Sequence, residues 1–218
     1  MYYAIIGDIV HSREISSKHR SEVQNNLKLV LKEINSRYTG DISAKFIVTI
    51  GDEFQGLLHR PEHLLKIIDV IQFKLFPIRL RFGIGIGEIT TEINREMALG
   101  ADGPAYHNAR SVIEFIKVSE KGKQNGSANV LIKASARELE LMISLMNSSL
   151  QLCSFIEGKW TGKQRELIRK MIFEGMTQTE AAKELGIVQS SVQRRLKSAG
   201  YYDYSNAREL IAQTLLRI

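Results

Sequence analysis

The apolar positions fall into two rhythms, one of strands and one of helices. Tyr2–Gly7 is a short apolar run ending in Gly-Asp, as a buried strand feeding a loop would be. From Ser17 to Tyr38, the residues Val23, Leu27, Val30, Leu31 and Ile34 recur at helical spacing. Segments 43–50 and 53–58 predict the two strands of a hairpin, with Ile50-Gly51-Asp52 at or near its turn. Pro61 opens a second predicted helix at its first position, where a missing N–H does no harm. Leu64, Leu65, Ile68, Ile71 and Leu75 lie along one side of it. Segment 77–89 predicts a strand in which Gly83, Gly85 and Gly87 alternate with Phe82, Ile84 and Ile86. One face of that strand is then bare of side chains, so that either a helix packs closely there or a ligand approaches.

Gly103-Pro104 starts a third helix through Ala109, Val112, Ile113 and Ile116, followed by a basic, polar loop over 121–126 and a strand over 128–134. Ser135 and Glu138 have the spacing of a capping box and open a helix that continues towards Phe155. The order β, α, β, β, α, β, then α and β, predicts an antiparallel sheet with helices on one face. This is the ferredoxin-like α+β arrangement. The pattern breaks around Glu157-Gly158-Lys159, which divides the chain into residues 1–157 and a small all-α unit, 158–218.

In that second unit, Leu167, Ile168, Met171 and Ile172 mark one helix within 162–174. Thr177 is a natural N-cap with Glu180 three residues on, and it opens a helix carrying the small residues Ala181 and Ala182. Gly186 ends that helix with the left-handed backbone a tight turn needs, and a third helix runs from about Gln189 to Lys197. Helix, short turn with glycine, helix is the unit whose second helix enters a DNA major groove. Its outward Gln189, Ser190, Ser191 and Gln193 suit base edges, while Arg194, Arg195 and Lys197 suit phosphates or guanine. The segment also resembles the helix-turn-helix units of bacterial regulators and sigma-factor-like domains. A single such unit makes few contacts, and specific sites are usually read by dimers, so the expected state is a homodimer or higher homo-oligomer.

Composition sharpens this picture in two places. The net charge is +6, and nine Lys/Arg stand against four acids between Lys159 and Lys197, which suits an anionic partner. Cys153 is the one cysteine, so neither an internal disulfide nor a cysteine-based zinc site is available. Without a secretory leader or a run of eighteen apolar residues, the expected location is the cytoplasm, away from membranes.

Two acidic clusters stand at predicted strand tips: Gly7-Asp8-Ile9-Val10 and Gly51-Asp52-Glu53-Phe54. In a ferredoxin-like sheet the two strands are neighbours, which would bring Asp8 beside Asp52 with Glu53 close by. Crowded carboxylates resist ionising unless a cation neutralises them, and oxygen ligands of this kind suit Mg²⁺ or Mn²⁺ carrying nucleotide phosphates. Ser12 and Arg13 follow the first aspartate and could touch phosphate.

The segments Tyr3–Val10, Thr49–Phe54 and Arg81–Glu88, in that order, resemble the class III nucleotide cyclase catalytic domain. The Gly-Asp-Glu-Phe piece also resembles diguanylate cyclases, which share the palm fold. More closely, the chain resembles the SatD family of bacterial proteins, over residues 1 to about 115 and the helix-turn-helix. The resemblance implies Asp8 and Asp52 as catalytic metal ligands, with the Ile9 carbonyl and Glu53 assisting, and a nucleoside triphosphate or related nucleotide as ligand. Gly83 and Gly85 would lie close to that nucleotide. The chain departs from the cyclase pattern at three places. Val48 stands where those enzymes read the base with a lysine, and His107 and Ser111 stand where they carry asparagine and arginine. Asn108 and Arg110 offer the same side chains one residue out of register, but two apart on a helix they cannot face one way. The expected function is a DNA-binding regulator whose palm-like domain binds metal, nucleotide or both. The alternatives are an active nucleotidyl cyclase or nucleotidyltransferase, and a degenerate palm that serves as a dimerisation scaffold.

Overall fold

The computed structural model of the protein describes residues 1–12, 16–49, 51–121 and 128–218. Five strands, β1 (Tyr2–Ile9), β2 (Ile42–Val48), β3 (Glu53–Leu58), β4 (Leu80–Gly87) and β5 (Val130–Ala134), form one sheet in the order β2-β3-β1-β4-β5. The first four pair antiparallel, but β5 joins β4 in parallel. The sheet is therefore mixed, a correction to the antiparallel expectation. The reason is the connection: β5 returns through a helix, α3 (Pro104–Lys121), and such a crossover brings the chain back in the same direction.

The expectation of helices on one face also fails. Helices α1 (Ser17–Arg37) and α2 (Leu64–Leu75) share a core with Tyr3, Ile5, Phe54, Phe82, Ile84 and Ile86. The opposite face, with Ala4, Ile6 and Leu57, packs on Ala105, Ala109 and Ile113 of α3. That is where the alternating glycines point. A Cβ on Gly83 would overlap the Ala109 carbonyl, and one on Gly85 the Ala105 carbonyl. The bare face of β4 is a seat for the backbone of α3.

Several boundaries shift for local reasons. The second helix begins at Leu64 rather than Pro61, whose carbonyl instead accepts the Leu64 N–H at 3.0 Å. Ser135 does not cap the helix that follows: a 3₁₀ turn (Arg137–Leu139) precedes α4 (Glu140–Gly158) without a side-chain cap. The Ser135 hydroxyl is drawn to Asn108 Nδ2, 2.9 Å away. Segment Arg137–Gly158 is long and apolar enough to cross a membrane by length and composition. In the fold, Ile143, Met146, Leu150 and Cys153 bury one face of it, while Leu141, Leu145, Leu152 and Phe155 stay exposed on the other.

Four further helices complete the chain: α5 (Gly162–Phe173), α6 (Gln178–Glu184), α7 (Gln189–Ser198) and α8 (Tyr201–Leu215). Leu167, Ile168, Ala181, Ala182, Val192 and Leu196 make their core, with Trp160 donating its indole N–H to the Ala199 carbonyl at 2.8 Å. Helix α8, which the sequence patterns left unread, carries Ile211 and Leu215 into the core under α2.

Candidate functional site

The acidic residues meet because of strand register. Asp8 in β1 lies opposite Glu53 of β3 on one side and opposite Arg81 of β4 on the other. Directly opposed residues share a sheet face, so the three form a row on the side covered by α3. That helix supplies Arg110 and Lys117, seven residues or about two helical turns apart. Lys117 Nζ lies 3.5 Å from Asp8 Oδ1 and 3.2 Å from Glu53 Oε1. Arg110 reaches Glu53 Oε2 at 2.5 Å, and Arg81 reaches Asp8 Oδ2 at 2.5 Å. Arg81 also donates its Nε–H to Glu120 Oε2 at 2.8 Å. Sequence reasoning missed Arg81, Lys117 and Glu120. Arg81 was findable, since it has the same parity as Gly83 and Gly85; Lys117 needed the placement of α3.

Burial pushes the Asp8 carboxyl above its ordinary range, against the pull of Lys117 and Arg81, and the charge of Asp52 adds to the rise. Glu53 goes the other way. Burial would raise it, but the hydrogen bonds and charges of Arg110 and Lys117 hold it below the usual value. Asp52 sits half-buried in the turn before β3, where Gly51 is left-handed at φ 70° and Gln24 donates to the Gly51 carbonyl at 2.8 Å.

The other candidates separate. Asn108 is buried and donates to the Ile86 carbonyl at 3.0 Å, towards β4 and Ser135, whereas Arg110 turns to Glu53. Gly83 and Gly85 are covered by α3, so they set the height of that helix and leave no room for a ligand above them. Ser12 is half-buried just after β1, Ile9 closes that strand with its side chain in the core, and Arg13 lies outside the described residues. Among the described residues no group of three His, Cys, Asp or Glu side chains is placed to hold a metal ion. Asp8 and Glu53 already have cationic partners from the chain itself, so a divalent ion at Asp8 fits only by displacing Lys117 or Arg81.

In the C-terminal helices, Thr177 and Glu180 form the anticipated capping box. The Glu180 N–H donates to Thr177 Oγ1 at 3.2 Å, and the Thr177 N–H donates to Glu180 Oε2 at 2.7 Å. Gly186 is left-handed at φ 63°. Val192 and Leu196 of α7 point inward, leaving Gln189, Ser190, Gln193, Arg194 and Lys197 exposed, with Ser191 and Arg195 half-exposed.

Fold and site together define an α+β protein with a five-stranded mixed sheet and a charged row beneath α3. The chain belongs to the SatD family, whose model matches residues 2–216 and so includes the stretch between the sheet and the last helices. No curated protein matches it. Among solved structures it is similar to the catalytic core of a rhodopsin-guanylyl cyclase with converted specificity in complex with ATPalphaS. Identity is 18% over 50% of this chain and 69% of that one, with a TM-score of 0.37. The guanylate cyclase domain of RhGC from Catenaria anguillulae in complex with GTP is 16% identical over 51% and 71%, with a TM-score of 0.37. A regulator of polyketide synthase expression from Bifidobacterium adolescentis is 13% identical over 99% and 84%, with a TM-score of 0.27.

Proposed function

We propose that the protein is a cytoplasmic DNA-binding regulator, with a palm-type sheet region (1–157) that senses a nucleotide and a helix-turn-helix region (158–218) that reads DNA. The observation that carries this is the division of labour on α7. Val192 and Leu196 fix it in the core, while Gln189, Ser190, Gln193, Arg194 and Lys197 are left to the outside. Short polar side chains at the start and cations towards the end suit base edges and phosphates respectively. A homodimer completes the reading. Leu141, Leu145 and Leu152, with the small Ser148 between the last two, follow heptad spacing on the exposed face of α4. That suits a second α4.

In the sheet region, Asp8, Asp52 and the Ile9 carbonyl would hold Mg²⁺ or Mn²⁺, and such an ion would neutralise nucleotide phosphates there. Lys117, which pairs with Asp8, is then freed to meet the same phosphates, and Arg110 stands on the same helix, paired with Glu53. That observation also favours a second reading, an active nucleotidyl cyclase or nucleotidyltransferase, because two cations over a carboxylate row can stabilise developing charge.

The test is selection of DNA from a random pool by the full chain, followed by mobility shifts in rising salt. Arg194→Ala with Lys197→Ala should abolish selection or cut affinity by more than tenfold, and should flatten the salt dependence by about one phosphate per residue. Undiminished binding by that double variant would remove α7 as the reader. Incubation with each nucleoside triphosphate and Mn²⁺ separates the second reading, since a product absent from Asp52→Asn would mark an enzyme.

A further inference from the structure

A cleft of about 610 Å³ opens where the loop between α2 and β4, the end of α4 and the start of α5 meet. Its size is that of a small-ligand site. Three cations line it, Arg79, Lys159 and Arg165, against one acid, Glu157. Arg165 is committed to the architecture. It donates to Glu157 Oε1 and to the Glu157 carbonyl, both at 2.9 Å, and lies 4.4 Å from the centre of the Phe76 ring. Its buried Nε has no hydrogen-bond partner among the described residues.

The remaining two cations are available. The Arg79 side chain is 61% exposed and makes a long ion pair with Glu120, at 3.9 Å. Lys159 Nζ sits 3.8 Å over the Phe155 ring and reaches no carboxylate among the described salt bridges. Both rings on the rim are half open, Phe76 at 52% and Phe155 at 56% exposure. Exposed aromatic faces beside solvent-exposed cations match a ligand with the opposite makeup, a flat ring joined to an anion.

We propose that this cleft binds a small anion carrying a flat ring, of the chemistry of a nucleoside monophosphate. The phosphate meets Arg79 and Lys159, the ring stacks on Phe76 or Phe155, and the Gln72 and Asn129 amides offer hydrogen bonds to its edge. The site is separate from α7 and from Asp52, so it does not depend on the DNA-binding reading. Its position gives it a line to both regions. Arg79 contacts Glu120, Glu120 holds Arg81, and Arg81 holds Asp8. On the other side, Arg165 belongs to α5, the first helix of the C-terminal unit.

The chain's single tryptophan, Trp160, reports on the cleft, because the Arg165 guanidinium lies 5.4 Å from its ring centre. The experiment is calorimetric titration of the full chain with AMP, GMP and inorganic phosphate, with Trp160 emission followed in parallel. Saturable binding of at least one nucleoside monophosphate is expected. It should weaken tenfold or more in Arg79→Ala and in Lys159→Ala, and should stay within twofold in Lys28→Ala, an exposed cation on α1 away from the cleft. Three results would overturn the proposal: no saturable heat with either nucleotide, equal affinity for inorganic phosphate, or binding lost in Asp52→Asn yet kept in Arg79→Ala.

Discussion

Arg208 of the last helix reaches the carboxylate of Asp69 in α2, and both are buried where the C-terminal helices meet the sheet region. The same guanidinium donates to the Leu65 carbonyl at 3.1 Å. Burial pushes Asp69 up to about 7, with Arg208 pulling against it. A pair of this kind holds two parts of a chain in one arrangement, because either partner alone would be a buried, uncompensated charge.

Arg208→Ala should therefore destabilise the protein by about 3–5 kcal/mol, while Arg208→Met with Asp69→Leu should recover most of the loss. Urea unfolding of the three proteins checks this. An Arg208→Ala protein as stable as the parent would show that the pair contributes nothing to the docking of α8.

The glycine seat under α3 gives a second prediction. Gly85→Ala would set a methyl group against the Ala105 carbonyl and the Ala109 N–H. Overpacking of this sort costs about 1–3 kcal/mol, and here it should also lift Arg110 and Lys117 from Glu53. Thermal unfolding measures the first effect, and chemical shifts of the Glu53 carboxyl the second.

Glu53 has a folded pKa below its ordinary 4.5, held there by Arg110 and Lys117 against burial. Its contribution to stability is then fully present above that ordinary value and is lost as pH falls through the lower, folded one. Arg110→Ala should reduce the acid-side loss, so the parent and variant stability curves converge below pH 4.5 and separate above it. Asp8, raised by burial, acts with the opposite sign in both proteins and drops out of the comparison. Curves that stay parallel from acid to neutral pH would contradict the assignment.

Thr177→Ala removes the hydroxyl that accepts the Glu180 N–H in the capping box at α6, while the backbone N–H of residue 177 can still donate to Glu180, and should cost about 1 kcal/mol. Because α6 packs on α7, the loss should fall on the C-terminal helices and raise hydrogen exchange there before the sheet responds.

The exposed face of α4 predicts the assembly. Leu145→Glu with Leu152→Glu should convert a dimer to a monomer in sedimentation while the monomer keeps its folded circular dichroism spectrum, since neither side chain is part of the core. A parent that sediments as a monomer would remove α4 as the dimer contact.

The sequence by itself determined what depends on near neighbours. Helical spacing at Val23, Leu27 and Ile34, the Thr177–Glu180 box, left-handed Gly186 and the inward Val192 and Leu196 all follow from local periodicity and backbone chemistry. It also raised helix packing as one of two explanations for Gly83 and Gly85. Tertiary structure decided what depends on distant partners. Only the parallel return of β5, with α3 crossing between β4 and β5, put helices on both faces and chose packing over ligand approach. The same crossover laid Arg110 and Lys117 over a row of Arg81, Asp8 and Glu53 that strand register had assembled. Likewise Ser135, spaced to cap a helix, was taken by Asn108, and Arg208 found Asp69 across 139 residues. The physical reason is common to these cases. Local signals set the conformation of a segment, whereas the partner of a buried polar or charged group is fixed by what the completed fold brings within hydrogen-bond distance.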